Sequence, residues 1–448
     1  MRMTHMMVGG RVKRILGHFS SSSVENDPCL ANELTQGQSI SGTADIEKFI
    51  QGALKAQGVN GASLALLDGD STVDVCVGLA NVEQKQPMTP DTWLQCASLS
   101  KTVGTAFALE YFSSKNIPFT TPVNSLLEKA GASFRLRAKG GPDSWADSLQ
   151  LKHLVNHTAL GMHYVYGIPP SKPEGMPTAL DLLEGRHEKE HGYAALFVEK
   201  APGSKFHYSG GGYLVLQLLL EAMEKKPIYQ VMASFLAAAG VASGFSFEQQ
   251  QLEGNTHACA HGYYDNGERV QDGRLMFPPL AAGGHCTPNA LLRFLRHLAI
   301  AYKSPTGSGP VSHHTAVEML ENHNTDKGCF EFMHSQMGLG VFIVKAGANR
   351  FMLHQAANDG FRGLYLICFD GPDASHGPRG FVLLSNGDNQ AMFANCHISR
   401  FVLKETFKFQ GMDWQSVEGN SFSKDGVAQE QIVNLGLKEL VLKAFRQD

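Results

Sequence analysis

Gln95-Cys96-Ala97-Ser98-Leu99-Ser100-Lys101-Thr102 leads directly into an apolar run from Val103 to Phe112. A serine three residues ahead of a lysine at the opening of a helix sets the ammonium beside the hydroxyl, because positions i and i+3 share a face. The following residues, among them Val103, Ala106, Phe107, Leu109 and Phe112, are apolar on nearly every side, so the spacing predicts a buried helix. Burial favours the neutral form of Lys101, while the positive end of the helix dipole favours an alkoxide at Ser98. The pair therefore reads as a nucleophile with its base. A second Ser-x-x-Lys, Ser421 to Lys424, lies in a polar segment with no apolar helix behind it, so the pattern alone does not decide the matter.

Two further blocks add weight. Lys205-Phe206-His207-Tyr208-Ser209-Gly210-Gly211-Gly212-Tyr213 reads as a loop entering a helix that continues to Leu220. Phe351-Met352-Leu353-His354-Gln355-Ala356-Ala357-Asn358-Asp359-Gly360-Phe361 reads as a strand ending in small residues, where a backbone N–H can approach a ligand closely.

In order and spacing these three blocks resemble the class C β-lactamase superfamily of penicillin-recognising serine hydrolases, which includes many esterases and peptidases. Related Ser-x-x-Lys signatures mark class A β-lactamases and penicillin-binding proteins. The resemblance runs from about residue 45 to about residue 405, and Leu154-Val155-Asn156-His157-Thr158-Ala159 adds a smaller echo. It implies that Ser98 is the nucleophile and that Lys101 and Tyr208 move protons. It also implies that the backbone N–H groups of Ser98 and Ala357 hold the oxyanion, with Gly210, His354, Gln355 and Ala356 against the substrate.

The sequence departs from a β-lactamase at two of those positions. His354 stands where those enzymes place a lysine, and Gly210 stands where they place an asparagine, leaving room beside the substrate. Both departures point to a carboxylesterase-like hydrolase acting on small uncharged esters or amides through an acyl-enzyme. Acyl transfer or peptidase activity on the same fold is the alternative, as is a non-catalytic scaffold or filament former.

Composition sets the frame. At 448 residues the chain fits two closely packed subdomains, and 43% hydrophobic with 18% charged residues is ordinary for a globular protein. A net charge of -4 with no long run of like charges indicates neither nucleic acid nor an anionic membrane as partner. No apolar stretch reaches the length of a bilayer span, so a soluble chain is expected, with a homo-oligomer open to it. The eight cysteines form no Cys-x-x-Cys pair and read as free thiols in a reducing compartment.

The α+β fold follows from the distribution of patterns. Ile46, Phe49, Ile50 and Leu54 recur at helical spacing, and Ala62 to Leu67 with Val73, Val75 and Val77 flank Asp68-Gly69-Asp70 as a hairpin. Strands are expected at Gly340 to Val344, Arg350 to His354, Gly363 to Phe369 and Gly380 to Leu384, then a helix from about Gln390 to Phe407. Strands at both ends predict one central antiparallel sheet flanked by helices, with a helical subdomain inserted at about 100–330 and the site in the cleft between.

The predicted domains are a tail and linker at 1–42, a catalytic domain at 43–410 and an extension at 411–448. Residues 1–24 carry Arg2, Arg11, Lys13 and Arg14 with no acidic residue, the composition of a transit peptide. A mitochondrial matrix or other organellar location is the expectation, with a disordered tail and a cytoplasmic location as the alternative.

Other chemistries are set aside at the residues that suggest them. His153 and His157 have zinc-ligand spacing but no His-Glu-x-x-His arrangement between them, and a structural role is the expectation, so neither metal nor cofactor is predicted. Gly210-Gly211-Gly212 lacks the Lys-Ser/Thr of a phosphate loop, and the chain has no Gly-x-Ser-x-Gly elbow.

Overall fold

The computed structural model describes residues 43–162, 165–172, 175–249, 259–307, 309–321, 329 and 335–410. The basic segment at 1–24 and the extension at 411–448 lie outside the described residues.

Helix α1 (Thr43–Gln57) buries Ile46, Phe49, Ile50, Ala53 and Leu54, the stripe its spacing predicts. Strands β1 (Gly61–Asp68) and β2 (Ser71–Asn81) then pair antiparallel from Gly61↔Gly78 to Asp68↔Ser71. Their turn needs Gly69, which takes a φ of +64°, a conformation that a Cβ penalises. At the other end of the chain, β8 (Phe342–Ala346), β9 (Asn349–Asn358), β10 (Phe361–Asp370) and β11 (Arg379–Ser385) form an antiparallel meander. β11 pairs with β1, Ala62 opposite Ser385, so both ends of the chain close one sheet. With the two-residue strands β3 (Gln86–Pro87) and β7 (Gln336–Met337) at its edges, the order is β3-β2-β1-β11-β10-β9-β8-β7.

Central strands β1, β10 and β11 are buried almost without interruption, as strands covered on both faces are. Helix α5 (Asn389–Phe401) packs on β10 and α1, and the Phe49 and Phe401 rings stack with centroids 3.9 Å apart. Such a pair contributes about 0.5–1.5 kcal/mol beyond the area it buries. Helix α4 (Pro288–Lys303) covers β1 and β11, started by Thr287, whose hydroxyl accepts the Ala290 N–H, and by Pro288 in its first turn.

Between the two strand sets lie α2 (Ser100–Ser114) and α3 (Gly210–Glu224). The intervening region is not wholly helical. It holds β5 (Phe245–Ser246) and β6 (Gly284–Cys286), which join β4 (Leu94–Ala97) in a separate three-stranded sheet. Strands of two to four residues carry too little alternation for the sequence to announce them.

Gly210, Gly211 and Gly212 also differ from expectation: they form the first turn of α3 and not a loop before it. Their value is close packing. A Cβ at Gly212 would meet the Leu154 carbonyl oxygen at 2.2 Å, and one at Gly211 would meet Leu196 Cδ1 at 2.7 Å. No described helix is long and apolar enough to cross a membrane, and none of the seven described cysteines is in a disulfide.

The packing yields a paired prediction. Gly212→Ala drives a methyl into backbone and is expected to lower the unfolding free energy by about 1–3 kcal/mol. Gly52, inside α1 with nothing within 4 Å of its Cβ direction, should gain about 0.5–1 kcal/mol on substitution by alanine. Urea unfolding of both variants checks the opposite signs.

Candidate active site

β4 delivers the chain to Ser98 through a strained residue. Ala97 has a φ of +44°, unusual for a side chain with a Cβ, and nothing in the sequence signals it. Ser98 follows half-buried at the junction, and α2 begins two residues later with Ser100, Lys101 and Thr102 all buried. Two hydroxyls fix the helix: Thr102 donates to the Gly340 carbonyl at 2.8 Å, and Thr105 lies 2.9 Å from the Tyr213 hydroxyl on α3.

Lys101 points back at Ser98. Its Nζ is 3.0 Å from Ser98 Oγ and donates to the Ala281 carbonyl at 2.5 Å. Ala281 belongs to a single π-helical turn, Pro279–Gly283, that sequence reasoning passed over, although Pro278-Pro279 and the small residues up to Gly284 mark a close backbone approach. Burial with no carboxylate partner lowers the Lys101 pKa from its usual 10.5 to about 7. A neutral amine uses its hydrogens on Ala281 and offers its lone pair to the serine proton. The same nitrogen lies 5.0 Å from the Tyr208 ring centroid and 5.4 Å from that of Tyr213.

Tyr208 is 8% exposed and packs in an aromatic group, its ring 4.4 Å from His157 and 6.2 Å from His354. His157 accepts the Ser209 N–H at Nδ1, 3.1 Å away, so it holds the Tyr208 segment in place. His153 ties down the start of its own helix by accepting the Gln150 N–H at 3.1 Å. Both histidines thus have structural work.

β9 supplies the far wall. β8 pairs with it only as far as Leu353, so 354–358 have no described strand on that side. Along this stretch His354, Ala356 and Asn358 are buried while Ala357 is exposed. His354 Nδ1 lies 2.9 Å from the Gln355 N–H, and burial first, then the nearby Lys101, lowers its pKa to about 3. It is neutral throughout the physiological range. Asn358 donates to Gln95 Oε1 at 3.1 Å and to the Ala282 carbonyl at 3.0 Å, locking the end of β9 to the strand that leads into Ser98. Sequence reasoning missed this clamp because Asn358 lies 263 residues from Gln95 and 76 from Ala282.

Gly210 differs from expectation. A Cβ there would lie 2.7 Å from Val165 Cγ1, so the space that the missing side chain leaves is already filled.

The described geometry thus brings Ser98, Lys101, Tyr208 and His354 together. A beta-lactamase family model matches residues 46–398. The chain belongs to the beta-lactamase family. Solved structures share its fold at low identity. The octameric penicillin-binding protein homologue from Pyrococcus abyssi has a TM-score of 0.60 at 17% identity, over 84% of this chain and 80% of its own. The D-amino acid amidase from Ochrobactrum anthropi SV3 has a TM-score of 0.54 at 22% identity, over 77% and 91%. EstCE1, a hydrolase with promiscuous acyltransferase activity, has a TM-score of 0.58 at 17%, over 80% and 98%. No curated protein matches the chain.

The Lys101 shift has a consequence for stability. Folded, the amine loses its proton near pH 7; unfolded, it holds one up to its usual 10.5. Between those values the unfolded state binds more protons, so stability rises with pH by up to about 1.4 kcal/mol per unit; below pH 7 the cost of the buried charge is fully present. Unfolding of wild type and Lys101→Met at pH 7 and pH 9 should therefore show the wild type gaining on the variant as pH rises, and a constant difference contradicts it.

Proposed function

We propose that the protein is a serine hydrolase that forms an acyl-enzyme on Ser98, with carboxylesterase-like activity on small uncharged esters. The observation that carries this reading is the 3.0 Å contact between Ser98 Oγ and the buried Lys101 Nζ. Ser98 Oγ attacks the ester carbonyl carbon as its proton passes to Lys101. The tetrahedral oxyanion is held by the backbone N–H groups of Ser98 and Ala357, each such donor worth about 3–4 kcal/mol. Collapse breaks the bond to the leaving alcohol, which takes up a proton from Lys101 by way of Tyr208. Water, or an alcohol in acyl transfer, then attacks the acyl carbon and restores Ser98.

The substrate class rests on charge. His354, neutral at pH 7, gives a substrate carboxylate no cation at the head of the third block. Val165 beside Gly210 replaces a polar side chain with an apolar one, which disfavours recognition of a substrate amide. Esters, whose leaving groups depart more easily than amines, suffer least from the loss.

Intact-mass analysis with p-nitrophenyl esters is expected to find one acyl adduct on wild type and none on Ser98→Ala. Lys101→Met should lower kcat/KM by about 10²–10⁴. Across a panel of small esters run beside nitrocefin, the best ester should turn over faster; equal labelling of Ser98→Ala, or nitrocefin outrunning every ester, contradicts the proposal.

A further inference from the structure

A second cluster of reactive side chains lies outside the Ser98 site, on the segment that leads towards α3. Arg186-His187-Glu188-Lys189-Glu190-His191-Gly192 contains a His-Glu-x-x-His pattern, the spacing that places two imidazoles one helical turn apart. His153 and His157 share the i, i+4 spacing but lack the glutamate. The chain here forms a single turn: the His191 N–H donates to the His187 carbonyl and the Gly192 N–H to that of Glu188, each at 2.9 Å. Gly192, at a φ of +79°, ends it.

The turn gathers three donors on one side. The His187 and His191 rings stack with centroids 5.7 Å apart and planes 27° from parallel. His187 Nδ1 is 3.0 Å from Glu190 Oε2. One ligand atom from each of His187, Glu190 and His191 lies within 4.8 Å of the other two. The imidazoles, His187 before His191, hold the Glu190 carboxyl below its usual range. A surface ion pair uses one imidazole and one carboxylate and contributes little; here two imidazoles face one carboxylate.

The platform beneath is fixed. Tyr193, fully buried, donates from its hydroxyl to the Tyr166 carbonyl at 2.7 Å and accepts the Tyr166 N–H at 2.8 Å. Of the nearby cations, Arg186 is engaged by Asp181 and Glu184, which offsets its charge, while Lys172 also acts on Glu190.

We propose that His187, Glu190 and His191 form a binding site for a divalent transition metal of the zinc class, with water in the fourth position. Two imidazole nitrogens and one carboxylate oxygen are a ligand set that zinc accepts, at about 2.0–2.2 Å from each. Tetrahedral donors at those distances stand about 3.3 Å apart, so the cluster closes on an ion by small side-chain rotations, which the exposed Glu190 is free to make. The bound ion staples the one-turn helix and stiffens the segment before the Tyr208 block.

Titration of the full chain with Co²⁺, followed by its visible ligand-field absorption, tests the site. Wild type is expected to bind one equivalent with the intense bands of tetrahedral coordination. His187→Ala and His191→Ala, both outside the Ser98 machinery, should each weaken that binding. Loss of a hydrogen-bond partner behind a metal ligand costs about 10–100-fold in affinity, so loss of a ligand itself should cost at least tenfold. Unchanged ester hydrolysis and circular dichroism establish that both variants are folded. The proposal is overturned if wild type binds no Co²⁺ in the micromolar range, or if both variants keep the wild-type affinity and spectrum.

Discussion

A lysine kept dry at the start of a buried helix is the constraint on which the rest of this structure turns. An ammonium in water holds its proton at pH 7 and cannot accept one from a serine. Lys101 is 2% exposed and has a carbonyl and a hydroxyl for partners, so its charged form is penalised and no described carboxylate compensates. The surroundings maintain that state. α2 is apolar on almost every side and keeps water from Nζ; the ring faces of Tyr208 and Tyr213 and the Ala281 carbonyl favour the ammonium, but burial outweighs them. A carboxylate in Ala281's place would restore the charge and remove the base.

Positioning is distributed over the two ends of the chain. β1 pairs with β11, so the sheet that supports β9 is complete only when both strand sets are present. The Asn358 contacts then tie β9 to Gln95 and to the turn that supplies Ala281. Nucleophile, base and far wall are thereby held by one hydrogen-bonded frame, with sequence separations that make it slow to assemble but rigid once formed.

Much of this was legible in the sequence for identifiable reasons. The Ser98–Lys101 spacing, the hairpin at Asp68-Gly69-Asp70 and the late meander carry strong local periodicity, and β9 and β10 proved longer than the alternation alone showed. What was not legible is non-local or lacks a pattern. The strain at Ala97 falls on a residue that rarely adopts positive φ, the small sheet is built from strands too short to alternate, and Val165 fills the space at Gly210 from a separate loop. Glycine is a poor helix former, so the triple glycine reads as loop; close packing against Leu154 and Leu196 overrides that preference.

The account stands or falls on the protonation of one amine. Nuclear magnetic resonance of protein labelled with ¹³C at the lysine ε carbon, with Lys101 assigned by its absence in Lys101→Arg, follows that group directly through a pH titration. The structure predicts a midpoint for Lys101 near pH 7, far from the other lysines. A midpoint near 10, alongside the exposed lysines, would contradict it.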